Sequence, residues 1–283
     1  MLRGAMRELA IGDPTHLETD VGPVITAEAR DGILAHVETM RARGHRVETL
    51  PLPPEAAHGT FVAPTIIEIG RIADVEREVF GPVLHVLRWK RTDLDRLIAE
   101  IDATGYGLTF GLHTRIDETI ARVTGQAGAG NLYVNRNVIG AVVGVQPFGG
   151  SGLSGTGPKA GGPLYLARLL AETPPALTDG LDASGAALTS ARAYAAWLRA
   201  GGHEAEADAC TAFVSRSVLG ASVELPGPVG ERNLYTLRPR GRIAALATSD
   251  TGLLVQIGAI LASGNVALVE RRSPALPSLA DLP

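Results

Sequence analysis

Apolar positions recur along the first part of the chain in two alternating rhythms. Ile33, Val37 and Met40 fall three and four residues apart, which predicts a helix capped by Thr26 and closed at Gly44. A β-rich run follows from Phe61 to Ile69, interrupted by Pro64, and Val83 to Trp89 reads as a second strand. Leu94, Leu97, Ile98 and Ile101 then return to helical spacing, with Thr92 placed to cap. Leu108 to His113 is strand-like, Arg115 to Val123 helix-like, and Asn131 to Asn135 a short strand. Alternation of this kind predicts an α/β layer fold.

Residues 136–163 break the rhythm. Glycine dominates them, with Pro147, Pro158 and Pro163 interspersed, and a loop of this length inside a compact domain is usually functional. A short helix at about Leu164 to Ala171 should end it. Composition then shifts: TPPALTDGLDASGAA, residues 173–187, holds a double proline, glycines and small residues and reads as a linker. Beyond it a helix is expected near Leu188 to Arg199. A strand–helix–strand run follows, made of IAALAT, TGLLVQIGAILASG and NVALVE, which matches a βαβ unit. The expected division is a domain over 1–172, a linker over 173–187 and a second domain over 188–283.

Composition narrows the function. The chain has 283 residues, 45% of them apolar, enough for one large or two ordinary domains with a substantial core. With 26 basic against 30 acidic residues and no long basic run, nucleic acid is not an expected partner. The single cysteine, Cys210, rules out an internal disulfide framework, which favours a reducing, cytoplasmic setting. No segment reaches the roughly 18 apolar residues of a membrane span, and the first residues lack the apolar core of a signal peptide. The seven histidines are scattered and form no HExxH or Cys/His spacing, so no metal site is expected. GGSGLSG neither follows a strand directly nor opens a helix, so it makes a poor dinucleotide fingerprint.

Three stretches carry the chemistry: GDPTHLETDVGPVI at 12–25, EREVFGPVL at 76–84, and AGNLYVNRNVIGAVVGVQPFGGSGLSGTGPKAGGP at 129–163. In order and spacing they resemble the aldehyde dehydrogenase superfamily after its catalytic cysteine. The third is similar to the Δ1-pyrroline-5-carboxylate (glutamate γ-semialdehyde) dehydrogenase domain of the bifunctional bacterial proline utilization A family. The resemblance covers residues 1–172.

It implies the catalytic half of the aldehyde dehydrogenase fold, and oxidation of L-glutamate γ-semialdehyde to L-glutamate with NAD. In that family a thiolate attacks the aldehyde, hydride leaves to NAD, and water hydrolyses the thioester. The resemblance places that cysteine upstream of Met1, in the missing N-terminal part of the polypeptide. No catalytic residue is therefore expected here, and the isolated chain should be inactive. FAD would be a cofactor only if a proline dehydrogenase domain were attached upstream. A homo-oligomer fits this class.

Glu78 carries two acceptor oxygens suited to paired ribose hydroxyls, and by resemblance it holds the nicotinamide ribose with Phe80 beside the nicotinamide. The bland alternatives are a solvated carboxylate and a core phenylalanine. Gly140 and Ala141 can offer backbone N–H groups to a carboxylate, and by resemblance they bind the α-carboxylate of the semialdehyde, with Phe148 on its aliphatic part. Here the alternative is a structural turn with Phe148 in the core. Lys159 is expected to be a solvated loop residue, and Cys210 a small buried one.

The tail also resembles the proline utilization A family, at LPGPVGERNLYTLRPRGRIAALA, residues 225–247. GNVALVERR echoes the cofactor-domain strand in which a lysine binds the adenosine ribose, but Glu270 stands at that position. The implied tail is therefore a partial Rossmann-like domain without cofactor, structural in role. A competing reading of the whole is a non-catalytic assembly or scaffolding module derived from such an enzyme.

Overall fold

The computed structural model describes residues 1–155, 157–172, 181 and 188–270. The chain divides into two compact units. The first comprises Met1–Val138 and Gly150–Gly155; the second comprises Ile139–Gly149 and the described residues from 157 onward. The glycine-rich stretch is thus shared between them. Apart from Leu181, the expected linker lies outside the described residues.

In the first unit a short helix α1 (Leu2–Arg7) precedes α2 (Ala27–Ala42). The Thr26 hydroxyl accepts the Ala29 N–H at 3.2 Å, satisfying one donor that the first turn leaves open, as the sequence predicts. Strands β1 (Arg46–Thr49), β2 (Thr65–Ile69) and β3 (Val83–Leu87) form one sheet, with β1 antiparallel and β3 parallel to β2. The predicted face of α2 packs on it: Val37 and Met40 meet Ile67, flanked by Val47, Ile69 and Val83. Pro64 lies just outside β2, consistent with a residue that has no N–H for a central ladder.

Helix α3 (Leu94–Asp102) follows, then β4 (Tyr106–Gly107), β5 (Thr109–Leu112), α4 (Asp117–Gln126) and β6 (Asn131–Val134). β5 and β6 are parallel, joined through α4, and Leu94, Ile98, Val123 and Ala127 form the core with Phe110, Leu112 and Leu132. Thr92 does not cap α3. A 3-10 turn at Arg91–Asp93 intervenes and Asp93 takes the N-cap position, because the tighter turn moves the helix start beyond Thr92. β7 (Ser151–Gly152) pairs antiparallel with β4.

His36 on α2 and His85 on β3 meet with Nε2 atoms 2.9 Å apart and rings edge to face. Burial pushes both imidazoles below their usual value, helped at His36 by Arg77 and Arg43 and at His85 by His36 and His45. A histidine lowered by folding favours the neutral form. Its stabilisation is present above the unfolded value near 6.5 and is lost as pH falls through the folded value. The melting temperature should therefore drop on acidification below about pH 6.5, and drop less in His36→Gln/His85→Gln. Equal drops in both proteins would show that the pair contributes nothing to acid sensitivity.

In the second unit the helix expected at 164–171 shrinks to a 3-10 turn, Leu166–Leu169. Leu166 and Leu169 are 68% and 70% exposed, so no apolar face is buried to stabilise so short a helix. Further on, α5 (Thr189–Ala200) appears where expected. It is followed by α6 (Glu204–Ser215), which the periodicity does not announce, because its buried positions are only Ala207 and Cys210. β8 (Ser222–Leu225) and β9 (Asn233–Thr236) form an antiparallel pair. β10 (Arg242–Ala245), α7 (Asp250–Ala262) and β11 (Val266–Val269) form the predicted βαβ unit with parallel strands.

One core joins the three helices to β10: Tyr194, Leu198, Cys210, Leu253, Leu254 and Ile257 are among its buried members. The Tyr194 hydroxyl donates to the Leu254 carbonyl at 3.0 Å, so burying it strands no polar group. Cys210 is fully buried against Gly258 and next to the Ala191 carbonyl, and burial pushes its thiol up. It is the core cysteine expected, not a nucleophile. Alkylation of Cys210 in the native chain should be slow and should accelerate sharply on denaturation; fast native labelling would contradict this packing.

Candidate functional site

Glu78 and Phe80 lie in the segment that leads into β3. At its start Arg43, the residue that caps the end of α2, holds Glu76 at 2.9 Å. At its end Gly81 sits directly over Ile33 of α2, where even a Cβ would stand 2.5 Å from the Ile33 side chain. The Pro82 carbonyl accepts the Thr65 N–H of β2 at 2.9 Å. Between these held ends Arg77, Glu78 and Phe80 are exposed, while Val79 is half-buried. Among the described residues Glu78 has no hydrogen-bond or ion-pair partner, and Phe80 is 79% exposed. Phe80 is therefore not a core residue. An exposed aromatic ring and a carboxylate without a protein partner, two residues apart in sequence, suit a ligand with a flat ring and a diol.

The other three expected residues belong to the second unit. In the loop 139–149, Gly140 and Ala141 are both half-buried, and among the described residues neither N–H donates to any group. Two consecutive backbone donors without a protein partner can accept an anion as hydrogen-bond partner. A Cβ at Gly140 meets nothing within 4 Å, so the space beside it is open. Next comes a closed turn: Val145 and Gln146 donate to the Val142 carbonyl at 3.1 and 2.9 Å, with Gly144 at φ +80°, a conformation that favours glycine. Phe148, half-buried, exchanges backbone hydrogen bonds of 3.0 and 2.9 Å with Ala160.

Lys159 departs from the expectation of a solvated residue. Its ammonium donates to the Gly149 carbonyl at 2.6 Å, and burial pushes it below its usual value. It ties the backbone beside the isolated Phe148–Ala160 bridge, and Gly162 packs closely on the Lys159 carbonyl.

Four other polar motif residues hold backbone groups. In the first motif Asp13 accepts the Thr15 N–H at 2.9 Å, which holds its carboxyl below the usual range, and Asp20 accepts the Ala10 N–H at 2.9 Å. In GGSGLSG the Ser151 hydroxyl donates to the Gly128 carbonyl, and the Ser154 hydroxyl accepts the Gly107 N–H at 3.2 Å. These serines tie backbone to backbone. Among the described residues no three His, Cys, Asp or Glu side chains converge as a metal site, and no helix is long and apolar enough to cross a membrane.

Gln146 was not singled out from the sequence. Its amide donates to Glu231 at 3.0 Å and Asn233 at 3.2 Å, more than 80 residues away within the same unit. Only a long-range contact reveals it; a glutamine before proline and phenylalanine carries no local signal.

This α/β architecture with its three ordered motifs coincides with a family match: the model of the aldehyde dehydrogenase family matches residues 1–172. The chain belongs to the aldehyde dehydrogenase family. Within it, the chain is 54% identical over 280 residues to the Bifunctional protein PutA of Rhizobium meliloti, covering 99% of this chain and 22% of that one. It is 39% identical over 163 residues to 1-pyrroline-5-carboxylate dehydrogenase 1 of Halalkalibacterium halodurans, covering 57% of this chain and 31% of that one. Among solved structures, a mutant of Bradyrhizobium japonicum Proline Utilization A (PutA) matches at 54% identity with a TM-score of 0.55, covering 58% of this chain and 17% of that one. The chain thus spans about a fifth of the length of the PutA relative, at 22%.

Proposed function

We propose that this chain supplies the carboxylate anchor and the nicotinamide-ribose contact of an NAD-dependent dehydrogenase that oxidises L-glutamate γ-semialdehyde to L-glutamate in proline degradation. The observation that carries the reading is the pair of unpartnered backbone donors at Gly140 and Ala141. They would hold the substrate's α-carboxylate while Phe148 packs on its methylenes. The relatives named PutA and 1-pyrroline-5-carboxylate dehydrogenase point to the same substrate.

Glu78 and Phe80 fit NAD: the free carboxylate accepts from the ribose hydroxyls, and the exposed ring flanks the nicotinamide. When bound, NAD supplies the two-electron acceptor. The nucleophilic cysteine is assigned to a part of the polypeptide outside these residues, because Cys210 is buried in the second unit with its thiol pushed up.

Residues 1–172 then form the catalytic portion, 173–187 a linker and 188–283 a cofactor-free Rossmann-like domain. Glu270, exposed just past β11, would repel a cofactor's phosphates where a lysine would attract them. The whole polypeptide is read as a cytoplasmic homo-oligomer, with FAD required only by an attached proline dehydrogenase domain.

The test uses the full-length protein. NADH formation from L-glutamate γ-semialdehyde is expected, and Glu78→Ala should raise KM for NAD roughly ten-fold, the loss of about 1.5 kcal/mol for a charged acceptor. The KM for the aldehyde should stay constant. An unchanged KM for NAD removes Glu78 from the cofactor site.

A further inference from the structure

The turn that follows the two free donors is locked by one side chain. Gln146 Oε1 accepts the Val142 N–H at 3.0 Å, while the Gln146 backbone N–H donates to the Val142 carbonyl at 2.9 Å. Both backbone polar groups of Val142 are therefore held by the same residue. On its other side the Gln146 amide donates to Glu231 Oε2 at 3.0 Å and Asn233 Oδ1 at 3.2 Å. These bonds fix the amide orientation: Oε1 must face the Val142 donor, and Nε2 must face two acceptors.

The β8–β9 hairpin is shaped to receive it. The Glu231 N–H donates to the Pro228 carbonyl at 3.1 Å, and Gly230 has φ +91°, as the third residue of a type II turn requires. Asn233 pairs with Leu225 at the end of the ladder. A Cβ on Gly227 would stand 2.2 Å from the Asn233 amide nitrogen, so the turn admits that amide only because position 227 is glycine.

Val142 follows Ala141 directly. Holding the Val142 N–H fixes the plane of the Ala141–Val142 peptide. The neighbouring peptide plane, which carries the Ala141 N–H, is joined to this one through the Ala141 Cα alone, so only φ and ψ of Ala141 separate the held group from that donor. Preorganised donors are worth more to a ligand than donors that must be ordered on binding.

We infer that Gln146 is a positioning residue: bridged to Glu231 and Asn233, it sets the Gly140 and Ala141 donors for the substrate carboxylate, which makes the C-terminal hairpin part of substrate selection. The inference rests on the carboxylate-anchor reading above.

The test compares L-glutamate γ-semialdehyde with pentanal in the full-length protein, for wild type, Gln146→Glu and Gln146→Glu/Glu231→Gln. The single change keeps an acceptor for Val142 but removes both donors and sets two carboxylates against each other. The double change restores a donor–acceptor pair with its polarity reversed. Gln146→Glu should raise KM for the semialdehyde roughly ten-fold and leave pentanal unchanged, and the double variant should recover most of the loss. Amide exchange at residues 139–142 of the 283-residue chain should follow the same order.

Where the introduced carboxylate prevents folding, Gln146→Met replaces it, with the same selective loss expected. Equal losses on both aldehydes without recovery, or no loss, overturn the inference while leaving the anchor in place. A wild type that treats the two aldehydes alike removes the anchor reading itself, and the inference falls with it.

Discussion

The full-length protein is expected to prefer L-glutamate γ-semialdehyde over pentanal, an aldehyde of equal chain length, by at least about 100-fold in kcat/KM. The two unpartnered N–H groups of Gly140 and Ala141 set that figure. Hydrogen bonds to a charged group contribute roughly 1.5–3 kcal/mol each, so two give about 3–6 kcal/mol, or roughly 10²–10⁴ in rate constant. The same donors discriminate against pentanal, since an apolar chain end would leave them dry and unsatisfied. In the proposed site Phe148 would pack on the methylenes of either aldehyde and so would not select for charge.

Gly140→Val separates ligand from fold unusually well. Nothing lies within 4 Å of a Cβ there, and Gly140 is not among the positive-φ glycines, so the added side chain should enter open space without straining the chain. The loss should fall on the semialdehyde, whose carboxylate needs that space, with the melting temperature unchanged. Parallel losses for both aldehydes would sink the anchor assignment.

Leu198→Ala should destabilise the second unit by about 3 kcal/mol, within the range of roughly 2–5 kcal/mol for a buried leucine. Leu198 is 0% exposed at the centre of the core formed by α5, α6 and α7. Its cavity cannot collapse easily, because Tyr194 is held in place by its hydrogen bond to Leu254 and by stacking on Trp197. For a unit of about 100 residues this lowers the melting temperature by roughly 10–20 °C. Arg199→Ala, one residue on, removes exposed ion pairs to Glu204 and Asp208 and a hydrogen bond to the Thr211 hydroxyl at 3.2 Å, and should cost about 1 kcal/mol. Calorimetry on both variants checks the contrast; similar shifts would mean the helical core is loosely packed.

Local pattern revealed much of this protein. Helix α2, with its Thr26 cap and its Ile33, Val37 and Met40 face, follows from side-chain spacing and one hydroxyl, both properties of neighbouring residues. The β10–α7–β11 unit is equally readable, because a parallel pair with a short crossover helix leaves a continuous apolar signature. Glu78, Phe80, Gly140, Ala141 and Phe148 are different: local pattern does not single them out, and only the resemblance of their motifs to a known family does.

The failures share a cause. Leu164 to Ala171 looks helical, yet helix formation at that length depends on a buried face that the second unit does not provide. Helix α6 was missed because its contacts are made by Ala207 and Cys210, small side chains that carry little periodic signal.

Spacing and residue type by themselves determined the α/β layering and most of the helices and strands, since those depend on interactions within a few positions; the candidate site residues came from the motifs' resemblance to a known family. Only the tertiary structure decided which donors remain free at Gly140 and Ala141, that Lys159 is drawn inward, and that Gln146 reaches Glu231 and Asn233. Each of those depends on what the folded chain brings, or fails to bring, within about 3 Å of a polar atom, and hydrogen bonds act over no longer range.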